Sequence, residues 1–133
     1  MDVDLKTYPI ATPVWEQRWQ EVLGCTLNHM RESTYYAEEF YEDVLAIWLD
    51  FINKIYPDVP RITKPETWGA GLEYSLVRFH FLNITQKDLA KKYGVSAASV
   101  GAKYKIINRT LRIDQKAYRN MISMLTRREP ERP

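Results

Sequence analysis

The side chains whose chemistry most clearly suggests a function are the lysines and arginines that follow residue 84. Residues 85–133 contain 12 Lys/Arg and 4 Asp/Glu, a net charge of +8, whereas residues 1–84 contain 7 Lys/Arg and 13 Asp/Glu, a net charge of −6. Clustered cations are typical of a surface that binds a polyanion, above all nucleic acid. A solubilising tail is the simpler alternative, but without residues 127–133 the basic segment still carries +7. The candidate phosphate ligands are Lys87, Lys91, Lys92, Lys103, Lys105 and Arg109.

The element expected to position these cations is a helix-turn-helix at residues 85–107. Thr85 and Asp88 have the spacing of a capping box at a helix start. Gly94 stands where the chain must turn sharply, a conformation that glycine adopts without penalty, and Ser96 can cap the second helix. An ordinary helical hairpin would explain any one of these residues, but their combined spacing favours the helix-turn-helix. The apolar residues expected between the two helices are Leu89, Ala90, Tyr93, Val95 and Val100.

The outward positions of the second helix are expected to hold small side chains. None of them can make the bidentate contacts by which Arg, Asn or Gln recognise purines. We therefore predict that duplex binding is mainly electrostatic, through phosphates, and strongly dependent on salt. The outward positions are predicted to be Ser96, Ala97, Ala98, Gly101 and Ala102.

The rest of the chain shows apolar residues at three- and four-residue steps, as in amphipathic helices, and no segment alternates with a period of two for long enough to indicate a strand. We predict an all-α fold, a compact orthogonal bundle of about six helices. Residues 13–126 are expected to form this single domain, between a flexible arm at 1–12 and a disordered tail at 127–133. The predicted helix starts are Thr12-Pro13, Ser33-Thr34, Pro65-Glu66, Thr85, Ser96 and Asp114.

The sequence also predicts the ends, the close contacts and the apolar stripes of individual helices. The second helix of the chain, which follows Ser33-Thr34, is expected to end at Tyr56-Pro57, since proline cannot continue a helix. A break is expected around residues 108–113. The third helix, to about residue 82, contains Gly69 and Gly71, whose cost of about 1 kcal/mol each implies close approach of another backbone. The apolar stripe of the first helix is Trp15, Trp19, Val22, Leu23, Leu27 and Met30. The stripe of the last helix is Ala117, Tyr118, Met121, Ile122 and Leu125.

A wider stretch, from about residue 36 to 109, resembles a cyclin-type repeat of the general transcription factor IIB family. The similar segments are the small-residue-rich helix at 65–74, the segment Thr85-Gln86-Lys87-Asp88-Leu89-Ala90, and the closing helix from Gly94-Val95-Ser96 to Ile107. The resemblance implies a cyclin-like core of five helices packed around the third, with the helix-turn-helix as the last two. It departs from the family in having one repeat and no zinc ribbon. The DNA contacts that it implies are Ser96, Ala97, Ser99 and Lys103.

Other chemistry has little support in the residues. The single cysteine, Cys25, excludes an internal disulfide, and two histidines are too few for a zinc pattern. Cys25 and His29 lie one helical turn apart without a third group to orient them, and the carboxylates at 38–43 fit a solvated helix face. We expect no enzymatic activity, no metal, no cofactor and no small-molecule ligand. We also expect no membrane segment and no secretory signal, hence a cytoplasmic protein, associated with the nucleoid if it binds DNA.

Two functions remain open from the sequence. The first is a DNA-binding protein, associated with transcription, whose partner is double-stranded DNA. The second is a cyclin-like protein–protein interaction module or homodimeric scaffold without direct DNA contact, in which a partner or second copy covers Trp15, Trp19 or the last helix. The charge favours the first function, and the small side chains of the recognition helix favour the second.

Overall fold

The computed structural model describes residues 17–33 and 36–128, and within these ranges the regular structure is entirely helical. The predicted all-α class is therefore confirmed, with helices packed closely around one another. The arm at 1–12, Trp15 and residues 129–133 lie outside the described residues. The helices are α1 (Gln17–Arg31), α2 (Glu38–Ile55), α3 (Pro65–Phe79), α4 (Gln86–Tyr93), α5 (Ala97–Leu111) and α6 (Ile113–Arg128).

Helix α3 is the centre of the bundle, as the sequence predicts, because it contacts each of the five other helices. Pro65 occupies its first turn, where the missing N–H leaves no bond unmade. Its two glycines are sites of close approach: a Cβ on Gly71 would lie 2.6 Å from Lys103 Cβ of α5, and a Cβ on Gly69 would lie 3.2 Å from Thr26 Oγ1 of α1. The expected approach of another backbone is confirmed at Gly71, where Tyr104 N would lie 3.2 Å from the added Cβ, whereas the atoms near Gly69 belong to side chains.

The core has two parts that meet at α3. The larger joins the apolar faces of α1, α2, α3 and α5, with the rings of Trp48, Phe51 and Trp68 packed together at its centre. The smaller lies beneath the helix-turn-helix and joins Ala70 and Val77 of α3 to α4 and α5. The helix-turn-helix is thus built into the main body of the bundle.

Some predicted helix ends are wrong. The N-cap of α2 is Ala37 and not the Ser33-Thr34 pair, and Ser33 lies instead in the turn that follows α1. Helix α3 ends at Phe79, three residues early, and α5 continues to Leu111 through most of the predicted break. Only Arg112, in the left-handed conformation with φ 56°, separates α5 from α6. The predicted stop at Tyr56-Pro57 is confirmed.

The prediction for the last helix is wrong in several ways. Asp114 does not cap it: its carboxylate accepts hydrogen bonds from Tyr104 and Arg78, while its own N–H donates to Asn108 Oδ1. The helix runs through Arg128, so the tail does not begin at residue 127. Of its predicted apolar stripe only Ala117 is buried. The remaining large apolar residues are exposed, namely Tyr118, Met121, Ile122, Met124 and Leu125.

Candidate nucleic-acid interface

Helices α4 and α5 meet in a turn whose local chemistry agrees with the predicted helix-turn-helix. Thr85 Oγ1 accepts from Asp88 N at 3.0 Å, and Asp88 Oδ2 accepts from Thr85 N at 2.9 Å, which completes the capping box. The second of these bonds lowers the pKa of Asp88. Gly94 has φ +70°, and Ser96 Oγ caps α5 by accepting from Ser99 N at 3.1 Å. These bonds fix the ends of both helices and the angle between them.

The contact between the two helices depends on a second glycine, Gly101. A Cβ at this position would lie 2.8 Å from Oε1 of Gln86, the first residue of α4. The first turn of α4 therefore rests on the middle of α5. Gly101 is buried, which corrects the prediction that it faces outward. Ala97 is half-buried against the smaller core part, so it too is not fully outward.

A buried carboxylate, Glu73 of α3, anchors the end of α4. Glu73 is completely buried, and its oxygens accept from Tyr36 Oη at 2.6 Å, Tyr93 Oη at 2.7 Å and Lys92 Nζ at 2.9 Å. Burial, and then the Glu73 charge, hold the pKa of Tyr93 well above its ordinary value, so this hydroxyl keeps the proton that it donates. Since Tyr93 directly precedes Gly94, this network fixes the turn to the bundle centre.

Two of the predicted phosphate ligands are used inside the fold. Lys92 pairs with Glu73 and lies 5.7 Å from the centroid of the Tyr36 ring. Lys103 lies over the Trp68 ring, with Nζ 5.0 Å from its centroid, and its Cβ contacts α3 at Gly71. Both are half-buried. Because both lysines make contacts within the fold, Lys87, Lys91, Lys105 and Arg109 are the better candidates for phosphate contacts.

The remaining cations stay at the surface. On α5, Ala98, Ala102, Lys105 and Arg109 follow one another at steps of four, three and four residues, and all are exposed. They therefore share one helix face, opposite the buried Val100, Tyr104, Ile107 and Leu111. Lys87 and Lys91 are exposed one turn apart on α4, and Arg112 is exposed after α5. Within residues 36–128, Lys87, Lys105, Arg109 and Arg112 form no ion pair with a carboxylate. Ser96 is exposed and Ser99 half-buried.

An open depression adjoins the C-terminal end of this face. It has a volume of about 430 Å³ and is lined by Asn108, Arg109, Arg112, Asp114 and Gln115. Asp114 belongs to this lining, and its carboxylate accepts hydrogen bonds from Tyr104 and Arg78. The two guanidinium groups in the lining have the chemistry of bidentate phosphate contacts.

The two carboxylates that hold this unit in place are Glu73, which sequence reasoning missed, and Asp114, for which it predicted a different role. An acidic residue on the apolar face of the central helix is the one signal for Glu73, since Glu73 lies between Leu72 and Leu76. Its partners Tyr36, Lys92 and Tyr93 are distant in sequence, and nothing in their spacing indicates that they meet.

The Cys25–His29 pair does not form a nucleophilic site. The two side chains do approach each other, with 3.7 Å between Cys25 Sγ and His29 Nδ1, but His29 Nδ1 donates to the Cys25 carbonyl oxygen at 2.8 Å. The His29 ring stacks on Tyr93 at 4.0 Å. Burial, followed by the carboxylates of Glu66 and Glu73, raises the pKa of the Cys25 thiol to about 11, which keeps it protonated near neutral pH.

Comparison with known proteins gives one relative. The chain is 28% identical over 116 residues to the uncharacterized protein YccF of Bacillus subtilis, a match that covers 86% of this chain. It covers 32% of that protein, so the chain spans about a third of the relative's length. No family model and no solved structure matches the chain. Among the described residues, no helix combines the length and apolarity needed to cross a bilayer.

Proposed function

We propose that this chain binds duplex DNA through α4 and α5, mainly by contacts to phosphates. The observation that carries the proposal is the exposed face of α5, where Lys105 and Arg109 lie beside the small side chains of Ala98 and Ala102 and pair with no carboxylate of residues 36–128. Small side chains let a helix approach closely in a groove, and the cations then contact the flanking phosphates. Lys87 and Lys91 of α4 and Arg112 after α5 are further exposed cations of the helix-turn-helix.

The fixed position of the two helices supports the proposal. A helix-turn-helix can place its second helix in a groove only when the angle between the helices is held. Here the capping box, Ser96 and the Gly101–Gln86 contact fix the pair internally, and Glu73 fixes it to α3. Because no Arg, Asn or Gln lies at the start of α5, we expect little discrimination between base sequences.

A role in transcription and the cyclin-type arrangement belong to the same proposal. What supports the cyclin-type arrangement is the position of α3, which contacts every other helix, with the helix-turn-helix after it. The alternative, an interaction module or homodimeric scaffold, is supported by a different observation, the exposed apolar residues of α6. The two functions use different surfaces and can coexist in one protein.

The experiment is duplex binding measured by fluorescence anisotropy at 50 mM salt, with a DNA duplex of mixed sequence. The variant Lys105→Ala/Arg109→Ala removes two exposed cations of α5. It is expected to weaken binding several-fold because each lost cation removes one contact with a phosphate. The matched control, Lys54→Ala/Arg61→Ala, removes the same charge from exposed positions outside the helix-turn-helix and should bind as the wild type does. Failure of the wild-type protein to bind any duplex under these conditions would reject the proposal.

A further inference from the structure

The last helix changes character along its length. Its first turns belong to the core, where Ile113 and Ala117 are almost fully buried. Beyond Ala117 the apolar side chains emerge into solvent, with Tyr118 60% exposed and Leu125 52% exposed. The helix thus leaves the body of the bundle and keeps its apolar character.

The exposed apolar residues of α6 form one stripe. Tyr118, Met121, Ile122 and Leu125, here called the α6 stripe, are spaced at i, i+3, i+4 and i+7, and Met124 adjoins them. This spacing is that of a helix face that packs against another surface. Scattered exposed apolar residues are ordinary, but a contiguous set on one element marks an interaction site.

A groove suited to such a helix lies between α2 and the first turn of α6. Its volume is about 190 Å³, its walls are mainly apolar, and two carboxylates stand in its lining. Its lining residues are Asp43, Ala46, Ile47, Asp50, Phe79, Leu111, Ile113 and Lys116.

The charges of the two surfaces are complementary. Helix α2 carries five carboxylates and one lysine, a net charge of −4, and α6 carries four Lys/Arg and one aspartate, a net charge of +3. Within α2 two carboxylates already have partners, Asp43 with His80 and Asp50 with Lys54, which leaves Glu38, Glu39 and Glu42 exposed. A molecule of this chain therefore carries both the basic, apolar helix α6 and the surfaces that such a helix can bind, namely an acidic face and an apolar groove.

We propose that the occupant is a second copy of this chain. The α6 stripes of two copies would pack antiparallel across a two-fold axis, and the C-terminal half of each α6 would lie over α2 and the groove of the other copy. One chain supplies both complementary surfaces, which is the requirement of an isologous dimer. Because α6 is a continuous helix, its second half cannot fold back onto α2 of its own chain.

This dimer does not depend on DNA binding, although it would affect it. Only Arg112 separates α5 from α6, so an axis through α6 relates the two α5 helices by a two-fold rotation. Helix-turn-helix dimers with such an axis contact two half-sites of a duplex when their recognition helices lie about one helical turn apart.

The test is the molar mass of the full chain in the absence of DNA, by light scattering and sedimentation over two orders of magnitude in concentration. The wild type is expected to approach twice 15.7 kDa at the upper end. Ile122→Asp places a charge in the stripe at an exposed position and should raise the dimer dissociation constant at least about tenfold. The matched control, Asn120→Asp, adds the same charge two residues away on the opposite helix face and should dimerise as the wild type does.

Circular dichroism separates loss of dimer from loss of fold, since Ile122→Asp should keep the wild-type helix content. A wild-type protein that stays at 15.7 kDa at every concentration overturns the proposal. So does a monomer in which the amides of 118–125 are protected from hydrogen exchange, because another part of the same chain then covers the stripe. A dimer that persists unchanged in Ile122→Asp also overturns it. None of these outcomes requires DNA binding, so the two proposals fail separately.

Discussion

The helix-turn-helix has an inner side and an outer side, and each carries cations of the same types with different roles. On the inner side Lys92 meets the buried Glu73 and Lys103 covers the Trp68 ring. On the outer side Lys105 and Arg109 pair with no carboxylate in the part of the chain that the structure describes. Positive charge in a sequence therefore indicates the number of cations, while the fold determines which of them hold the protein together and which face a ligand. The inner cations should govern stability and the outer ones should govern DNA affinity.

The largest expected effect comes from breaking the inner ion pair. Lys92→Met leaves Glu73 buried with only hydroxyl partners, and we expect the free energy of unfolding to fall by about 3 kcal/mol, the lower end for buried pairs, because Lys92 keeps 22% of its side chain exposed. Urea denaturation measures this loss. The adjacent exposed lysine gives the control: Lys91→Met should change stability by no more than about 0.5 kcal/mol. Equal effects of the two variants would remove the distinction between inner and outer cations.

The next largest effect concerns the packing of α5 against α3. Gly71→Ala would place a methyl group 2.6 Å from Lys103 Cβ, an atom that moves only with the backbone of α5, and we expect a loss of about 1–3 kcal/mol. Gly24→Ala is the matched control in α1, since nothing lies within 4 Å of its added Cβ, and it should stabilise by about 0.5–1 kcal/mol. Thermal unfolding of both variants checks the prediction. A stable Gly71→Ala protein would show that α3 and α5 are not held in close contact.

A charge change on the outer face should alter affinity and leave stability unchanged. Ala102→Glu puts a carboxylate beside Lys105 on the exposed side of α5, and repulsion from phosphates should weaken duplex binding roughly tenfold at 50 mM salt. The free energy of unfolding should stay within about 0.5 kcal/mol of the wild type. Thr63→Glu, which adds the same charge in the exposed loop before α3, should leave binding unchanged. Equal weakening by both variants would mean that only net charge matters.

The smallest expected effect appears in alkaline solution. Burial and neighbouring carboxylates raise the pKa of Cys25 from 9.0 to about 11, and the pKa of Tyr93 also lies above its ordinary value. In the unfolded chain these groups lose their protons at lower pH, so the folded state binds more protons and the free energy of unfolding falls as pH rises from about 9 to about 11. Cys25→Ala should flatten this fall in melting temperature. An unchanged melting temperature over that interval in the wild type would contradict the half-buried placement of the thiol.

Features that depend on local spacing were predictable from the sequence. The capping box of Thr85 and Asp88, the left-handed Gly94 and the stop at Pro57 each depend on residues within one turn of each other. Their conformational preferences act on the backbone directly, so short patterns suffice. The close approach at Gly71 was also predictable as a type of contact, because glycine in a helix has a cost that something must offset.

Features that depend on tertiary partners were not predictable from spacing. In the sequence, Lys92 and Lys105 are equivalent lysines of one basic segment. Only the tertiary position of Glu73, which pairs with Lys92, distinguishes their roles. Likewise the apolar period of α6 indicates a face but not what covers it, and the face is exposed from Tyr118 onward. The outward position predicted for Gly101 is wrong because its contact with Gln86 depends on how α4 packs against α5.

The central claim is that the outer cations bind phosphates, and the salt dependence of duplex binding tests it most directly. The slope of log Kobs against log salt concentration is about −0.9 for each phosphate neutralised, so contacts from Lys87, Lys91, Lys105 and Arg109 predict a wild-type slope of about −3 to −4. Lys105→Ala/Arg109→Ala should make the slope shallower by about 2, and Lys103→Met, which removes an inner cation, should leave it unchanged. A wild-type slope near zero, or an equal change in slope for inner and outer variants, would contradict the account.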